Sequence, residues 1–480
     1  MCDICNLRRR DFFKAALGAA AASSLLRPTA ALAQGAASSD VTRSEAANIR
    51  EFIVRGGHVL TMNPTLGDLA VGDVHVRDGA IVAVGANINA PNAKVIDARE
   101  MIVMPGFVET HWHLWSTALR GVIRGDDPKF GYFPTTLRVG PHCTAKDAYI
   151  SVRLGVVEGL LSGITTVHNW SHNTRTPEYA DAEIQALKDT GVRARFSYGW
   201  GRDLPLTSTM NLTDLARVQR QWGQSGAMLS IGACLRSPTP GARGAVPIDV
   251  LKQEVEAIRK LGLPMTMHGG AKGLIDVLAG IGALGPDMLL VHPQGLSEQE
   301  RKQVADTKSP YSASPVIEMS YSAVRSGYIQ YDELKQLGVP MGLSIDSSAA
   351  SASADFFNVM RALMWSDWQR SGAPSRLKPQ RLVELATIEG ARLLGLGDVT
   401  GSLEPGKRAD IILVRKMDVN MVPVMDPYYS LVFSGQPSNV DTVIADGRIV
   451  SMGGKTISID LDKVVREAVT SALEIRGRMT

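Results

Sequence analysis

Four histidines and one aspartate in this sequence have the types and the setting that metal binding requires. Each lies at or just after the end of a short apolar run. They are His111, His113, His268, His292 and Asp346. Imidazole nitrogens and one carboxylate are the ligands of a catalytic zinc-type centre, which keeps one position open for water. The five residues therefore predict hydrolysis by an activated water.

These residues divide into ligands and groups that handle protons. We predict that His111, His113, His268 and Asp346 bind one divalent metal ion, for which zinc is favoured and iron is the alternative. Asp346 and His292 are the predicted catalytic residues. A free carboxylate oxygen of Asp346 can take a proton from water as general base. His292 has two roles open to it, either as a further ligand or as a hydrogen-bond partner of hydroxide and oxyanion.

Strands that end side by side would bring these residues together. From residue 144 to residue 394, apolar strand-like runs alternate with helical ones. The predicted strands after the first are 164–170, 193–198, 228–235, 264–268, 288–291, 311–314 and 341–346. Eight strand–helix pairs in this order are typical of a parallel (β/α)8 barrel, whose strand C-termini form the active-site face. We predict an α/β fold with a TIM-like barrel at residues 105–397.

Short β-type runs flank the barrel, and Gly-Asp or Asp-Gly turn signals separate several of them. The runs are 53–62, 71–77, 80–84 and 95–104 before the barrel and 409–414, 440–445 and 448–452 after it. We predict a small β-sandwich domain built from both termini, residues 48–104 and 398–460, and a C-terminal helix at 461–480. Within the barrel, Thr144 with Asp147 and Ser297 with Glu300 predict capping boxes at two helix starts.

The N-terminus has the pattern of an export signal. Residues 9–14, Arg-Arg-Asp-Phe-Phe-Lys, match the twin-arginine motif, and an Ala-rich apolar stretch and an Ala-Leu-Ala cleavage signature at 31–33 follow. We predict a twin-arginine signal peptide at 1–33 and a linker at 34–47. The expected partner is the twin-arginine export machinery, and the expected location is the periplasm. The apolar stretch at 15–26 is shorter than the roughly 20 residues of a membrane span, so none is expected after processing.

The charge balance excludes a nucleic-acid partner. The net charge is +3, but the first 33 residues carry five basic and two acidic side chains, which leaves the remainder near zero. The expected partner is a small-molecule substrate, and a homo-oligomer stays open. Cys143 and Cys234 follow the signal, and two buried free thiols are favoured over a disulfide between them.

Several motifs together resemble the amidohydrolase superfamily, over about residues 53–454. They are Pro-Gly-Phe-Val-Glu-Thr-His-Trp-His at 105–113, Gly-Ile-Thr-Thr-Val at 163–167, Ile-Asp-Ser at 345–347 and Gly-Ser-Leu-Glu-Pro-Gly-Lys-Arg-Ala-Asp at 401–410. More narrowly, the chain looks like the branch that holds cytosine deaminase, guanine deaminase and the triazine hydrolases. The resemblance implies that His111, His113, His268 and Asp346 bind one metal. It also implies that His292 contacts the hydrolytic water or the substrate.

The sequence departs from this branch at two positions. Deaminases of the branch carry a Glu three residues after the fifth-strand histidine, whereas here His268 is followed by Gly-Gly-Ala. Dinuclear relatives place a lysine in the fourth strand, and residues 228–235 contain none. One metal ion is therefore expected, and the usual proton shuttle of deamination is in doubt.

Five further residues are candidates for contacting the substrate. Three lie around the end of the second strand, where a polar and aromatic cluster suits a heterocyclic or amide ligand, one lies in the first-strand motif, and one follows the seventh strand. They are Trp112, His168, Trp170, His172 and Glu318. Glu318 is also the candidate replacement for the missing acid. The structural alternatives are core packing for the tryptophans, internal hydrogen bonding for the histidines and a solvated loop charge for Glu318.

The sequence thus predicts a metal-dependent hydrolase that cleaves a non-peptide carbon–nitrogen bond of a cyclic amide or heterocycle. The alternative within the enzymes is an aminohydrolase, or deaminase, of a purine, pyrimidine or pterin. The alternative outside the enzymes is a catalytically inactive relative that binds a metal and a ligand.

Overall fold

The computed structural model describes residues 41–46, 48–223, 226–239, 245–292, 294–322, 327–351, 353–372 and 376–479. The predicted signal peptide and most of the predicted linker lie outside these residues. No helix within the described ranges is long and apolar enough to cross a membrane. Cys143 and Cys234 are buried free thiols, as predicted.

The strands occur in three groups along the chain. The first five are β1 Glu51–Val59, β2 Leu69–Arg77, β3 Ala80–Gly85, β4 Lys94–Asp97 and β5 Met101–Pro105. The next eight are β6 Phe107–Trp112, β7 Ile164–Ser171, β8 Arg193–Tyr198, β9 Leu229–Leu235, β10 Met265–His268, β11 Met288–Val291, β12 Tyr311–Ala313 and β13 Met341–Leu343. The last four are β14 Ile411–Arg415, β15 Val440–Ala445, β16 Arg448–Met452 and β17 Lys455–Thr456.

Most helices lie between the strands of the second group or directly after them. In this region they are α1 Tyr132–Val139, α2 Ala145–Leu161, α3 Pro177–Thr190, α4 Leu212–Trp222, α5 Ile248–Lys260, α6 Leu274–Gly280, α7 Glu298–Asp306, α8 Tyr331–Gln336, α9 Phe356–Arg370, α10 Pro379–Leu385 and α11 Ile388–Leu393. Two more, α12 Pro427–Phe433 and α13 Leu461–Arg478, follow β14 and β17. Both predicted capping boxes are present, at the starts of α2 and α7.

The second group of strands forms a parallel barrel. β6 to β13 lie in one eight-stranded sheet in chain order, and every pair is parallel. A bridge between Trp112 and Asp346 joins the first strand to the chain just after the eighth. The predicted barrel is confirmed. Its strands are buried on both faces, because side chains fill the inside and helices cover the outside.

The remaining strands form a second sheet from both ends of the chain. Its order is β17-β16-β15-β14-β5-β1-β2-β3, and β4 pairs with β1. β14 pairs antiparallel with β5 through Ile411 opposite Pro105, which joins the two termini as predicted. Residues 39–480 form one compact unit, so the predicted domain boundaries at 105 and 397 stay a prediction.

Two predicted segments differ in the structure. The run 95–104 lies in the second sheet, where the sequence analysis placed it, but it forms two strands, β4 and β5, instead of one. The predicted eighth strand ends at Leu343 rather than at Asp346. An apolar run alone indicates a strand and does not indicate where one strand ends and the next begins.

A buried ion-pair network connects the start of β8 to the second sheet. Arg193 is fully buried, and its Nε donates to Asp410 Oδ2 at 3.0 Å. Its Nη2 lies 2.9 Å from Asp446 Oδ1, and the Asp446 amide donates to Asp410 Oδ1. Asp410 is the last residue of the motif at 401–410. Its contacts with Arg193 and the Asp446 amide indicate that this residue of the motif stabilises the fold.

Candidate metal centre

The five predicted residues meet at the C-terminal end of the barrel. His111 belongs to β6 and His113 follows it, while His268 ends β10. The backbone clamps the first and last strands here, because the His113 amide donates to the Asp346 carbonyl at 2.6 Å and the Asp346 amide donates to the His111 carbonyl at 3.0 Å. Neighbouring strands of a parallel barrel therefore converge on one point, as the sequence predicts.

Two members of the site have left-handed backbone. The φ angles of His292 and Asp346 are 56° and 69°. Non-glycine residues adopt this region at some cost in energy, and such strain concentrates at functional sites. The left-handed backbone lies where each chain segment leaves its strand, and both side chains point towards the residues of β6.

Atomic distances show how tightly the five groups cluster. Asp346 Oδ1 lies 3.1 Å from His113 Nε2 and 3.4 Å from His111 Nε2, and its Oδ2 lies 3.5 Å from His292 Nε2. Two triads have ligand atoms within 4.8 Å of one another, a spacing that suits a shared ion. These triads are His111, His113 and His268, and His111, His292 and Asp346.

The electrostatics favour the ionisation states that metal ligands need. Burial lowers the pKa of His111, His113 and His268, so their imidazoles are neutral and carry a free lone pair. Burial alone would raise the pKa of Asp346, but the close imidazoles of His111 and His113 outweigh it and hold the pKa well below its usual value. The centre thus presents neutral imidazoles and one carboxylate.

Unpartnered nitrogens test whether a metal fits here. Both ring nitrogens of His111 and Nδ1 of His113 are buried without a hydrogen-bond partner among the described residues. Buried polar atoms are normally paired, and leaving one unpaired costs about 1–3 kcal/mol. An ion between these residues would occupy the lone pair of His111 that points to the centre. The donor set fits a zinc-type ion.

Glu318 supports His292 from outside the cluster. It is fully buried, and its Oε1 accepts from His292 Nδ1 at 3.0 Å and from the Ser314 amide at 2.9 Å. Burial alone would lower the pKa of His292, but this hydrogen bond and the charge of Asp346 outweigh it and raise the pKa. Because a carboxylate only accepts, Nδ1 carries a proton and Nε2 faces Asp346.

Comparison with known proteins identifies the family. The amidohydrolase family model matches residues 102–450, which include all five residues of the centre. The chain belongs to the amidohydrolase family. It is a hydrolase of carbon–nitrogen bonds.

The amidohydrolase aligns along nearly its whole length with curated deaminases. It is 28% identical over 447 residues to the 5'-deoxyadenosine deaminase of Methanosarcina acetivorans, covering 89% of this chain and 99% of that protein. It is 28% identical over 425 residues to the 5-methylthioadenosine/S-adenosylhomocysteine deaminase of Symbiobacterium thermophilum, covering 84% and 94%.

Solved structures share the fold. A zinc-bound adenosine deaminase from Xanthomonas campestris has a TM-score of 0.77 at 21% identity, covering 89% of this chain and 99% of that one. A zinc complex of atrazine chlorohydrolase from Arthrobacter aurescens has a TM-score of 0.76 at 20% identity, covering 88% and 100%. The resemblance to the branch of deaminases and triazine hydrolases is thus confirmed.

Two of the five substrate candidates lie beside the centre of this amidohydrolase. The Trp170 ring stacks on His268 with centroids 4.0 Å apart. The His172 ring lies 4.2 Å from that of His113. His172 Nδ1 accepts from the Trp115 indole at 3.2 Å, so its Nε2 carries the proton and donates to Tyr132 OH at 3.3 Å.

Trp112 and His168 do not lie where a substrate contact requires, and these two predictions are corrected. Trp112 alternates with His111 and His113 along the strand, so its ring points away from the centre and packs on α2 beside Gly159. Both nitrogens of His168 are used internally, by the Thr110 carbonyl at 2.8 Å and Ser197 Oγ at 2.7 Å. Burial lowers the pKa of His168 to about 3, so it remains neutral.

The position of the absent deaminase glutamate, three residues after His268, is occupied by Ala271, which has no acidic group. Glu318 does not take the place of that acid, because its bonded oxygen faces His292 Nδ1, on the far side of the ring from Asp346. The proton-handling groups that face the centre are therefore Asp346 and His292.

Three residues at or near the centre escaped the sequence analysis. Glu109 is fully buried and accepts from the amides of His111 at 2.9 Å and Ile345 at 3.1 Å, which ties β6 to the segment carrying Asp346. Its only signal was an acid inside an apolar strand. Tyr132 and Arg202 lie at the barrel mouth in segments without a motif.

Proposed function

We propose that this amidohydrolase uses one divalent ion, zinc by preference over iron, to hydrolyse a carbon–nitrogen bond of a cyclic amide or nitrogen heterocycle. The observation that carries the proposal is the set of buried nitrogens of His111 and His113 that have no hydrogen-bond partner among the described residues and lie beside the ionised Asp346. Zinc in two structural neighbours supports the choice of metal.

Each residue of the centre has a defined part in this reaction. A bound divalent ion would acidify water and polarise the carbon under attack. Asp346 is ionised at neutral pH and accepts the proton of the attacking water, then returns it to the departing nitrogen. His292, held through Nδ1 by Glu318, stabilises the charge that develops on oxygen by donating from Nε2 when protonated.

Deamination of an aminated heterocycle is the second candidate. It is supported by the adenosine-type deaminases among the relatives, which align with 84–89% of this chain. In such a reaction Asp346 and His292 would deliver the proton to ammonia, because Ala271 supplies no acid at the usual position.

A substrate panel separates these candidates. The purified zinc-loaded enzyme would be offered 5'-deoxyadenosine, dihydrouracil and hydantoin, with Asp346→Asn as matched control. Ring opening of a cyclic amide without ammonia supports the leading proposal, and ammonia release from 5'-deoxyadenosine supports the deaminase. Stoichiometric metal with no turnover on any heterocycle or amide would contradict both and favour an inactive ligand-binding relative.

We also propose export to the periplasm by the twin-arginine machinery, on the strength of residues 9–14 and 31–33. Replacing both Arg9 and Arg10 with lysine should retain the enzyme in the cytoplasm with its signal attached. Cell fractionation and N-terminal sequencing check this. A mature chain that still begins at Met1 and stays in the cytoplasm would contradict the proposal.

A further inference from the structure

Arg202 is a cation at the barrel mouth that has little to bind within the protein. It lies four residues after the end of β8 and is partly buried. Its Nη2 donates to the Thr136 hydroxyl of α1, and its Nε is buried with no partner in the described ranges. A neutral hydroxyl leaves most of the five-donor fork of a guanidinium unused.

No carboxylate among the described residues pairs with Arg202. The adjacent Asp203 accepts from Arg175, with Nη2 and Oδ2 2.9 Å apart. The neighbouring Tyr132 is not an anion either, because burial raises the pKa of its phenol far above neutral pH. A partly buried cation without a counter-ion is unfavourable unless a ligand supplies the negative charge.

The guanidinium is close enough to the metal centre to share a substrate with it. It donates to Thr136 of α1, and Tyr132 lies about one turn earlier on the same helix. Tyr132 OH lies 3.3 Å from His172 Nε2, and the His172 ring lies 4.2 Å from that of His113. Thus a short chain of contacts connects Arg202 to the ligand His113.

The backbone around Arg202 leaves room for this side chain. A Cβ on Gly140 would lie 3.0 Å from Arg202 Cγ, a distance tighter than ordinary contact. The same Cβ would lie 3.0 Å from Asn173 Oδ1, an oxygen that is buried without a partner. The mouth thus combines an unpaired cation with an unpaired polar atom, as a site built for a polar ligand does.

We propose that the substrate carries a carboxylate that binds Arg202 while its hydrolysed carbon–nitrogen bond lies at the metal centre. The planar fork of arginine matches a carboxylate through two parallel hydrogen bonds. This inference rests on the proposed function for the place of the reacting bond, but the anion site itself can be tested without turnover.

Benzoate and benzamide form a probe pair that differs mainly in charge. Calorimetric titration of the zinc-loaded enzyme should show benzoate binding about tenfold or more tightly than benzamide. Arg202→Gln should weaken benzoate about tenfold to a hundredfold and leave benzamide unchanged, which also shows that the variant folds. Arg202→Lys should fall between, because it keeps the charge and loses the fork.

Arg175→Gln is the matched control, because it removes the same charge from an arginine that already has an acidic partner. It should leave both affinities unchanged. Equal binding of the two probes by the unaltered enzyme would overturn the inference, as would absence of benzoate binding at millimolar concentration. An Arg202→Gln variant that keeps the preference for benzoate would place the anion on the metal and overturn it too.

Turnover separates this inference from the proposed function. If heterocycles are hydrolysed but KM is the same for acidic and neutral members and is unaffected by Arg202→Gln, the function stands and the inference fails. If no carbon–nitrogen bond is hydrolysed but the Arg202-dependent preference for benzoate persists, the anion site stands and the proposed function fails.

Discussion

The buried side chains at the two ends of the barrel differ in whether they have hydrogen-bond or ion-pair partners. At the N-terminal end, fully buried Arg193 contacts Asp410 and Asp446, so each charge has a partner. At the C-terminal end, both nitrogens of His111 and Nε of Arg202 have none within the described ranges. Because buried polar groups are normally paired, the unpaired nitrogens at this end are available to a ligand. The N-terminal end stabilises the fold, and the C-terminal end binds.

The largest effect is expected from removing an unpaired histidine. His111→Ala should lose most of the bound metal and all measurable turnover, because water then has no source of activation. Elemental analysis and turnover on the same samples check this. His168→Ala is the matched control at a paired histidine, and it should keep the metal but lose stability. Full metal occupancy in His111→Ala would break the comparison.

The next largest effect concerns the carboxylate among the imidazoles. Asp346→Asn keeps an oxygen donor but cannot accept a proton. The rate should therefore fall by about two to four orders of magnitude, while metal content falls only partly. Parallel measurement of kcat and zinc content checks this. Turnover near that of the unaltered enzyme would remove Asp346 from the mechanism.

At the opposite end of the barrel, a similar change should affect stability instead. Asp410→Asn removes one of the two negative charges that pair with the buried guanidinium of Arg193. It should lower the free energy of unfolding by about 3–5 kcal/mol. Denaturant unfolding measures this, and kcat per folded molecule should not change. The exposed Asp398→Asn is the control and should alter neither. A loss of kcat in Asp410→Asn would show that the two ends are not separate in function.

A smaller effect is expected from the residue behind His292. Glu318→Gln keeps an acceptor oxygen for Nδ1 but loses the negative charge that holds the ring. We expect kcat to fall about tenfold to a hundredfold with KM nearly unchanged, as for other residues that support an active-site histidine. Steady-state kinetics check this. A rise in KM at constant kcat would indicate that Glu318 contacts the substrate instead.

The smallest expected effect is a pH dependence of the free energy of unfolding, caused by Glu183 of α3. This acid accepts hydrogen bonds but has no ion-pair partner among the described residues. It is fully buried and accepts from Asn169 and Ser171 of β7. Burial raises its pKa to about 7, so the folded state holds a proton that the unfolded state releases above its ordinary pKa. The contribution of Glu183 to the free energy of unfolding is therefore lost as pH rises from about 4.5 to about 7.

Glu183→Gln removes this loss. The variant should gain at least about 1 kcal/mol relative to the unaltered chain between about pH 5 and about pH 8, the equivalent of one pKa unit. Denaturant unfolding at both pH values measures the change. A stability difference that is the same at both values would show that Glu183 does not titrate in this range.

Local sequence patterns were sufficient for most of the fold. The strands 193–198 and 288–291 and the helix 177–190 have the predicted bounds, because apolar periodicity and turn residues act within a few positions. The run 95–104 was placed in the correct sheet but predicted as one strand, because its division into β4 and β5 depends on pairing with β1 and β14.

The sequence by itself determined the barrel and the five residues at its strand ends, since the parallel order of strands forces their C-termini to one face. Only the tertiary structure decided which polar groups remain available there. His168 and His111 are both buried histidines of neighbouring strands. Thr110 and Ser197 form hydrogen bonds with the ring nitrogens of His168, whereas no described residue forms a hydrogen bond with those of His111. Pairing of buried groups depends on distant residues brought together by folding, so no local pattern reveals it.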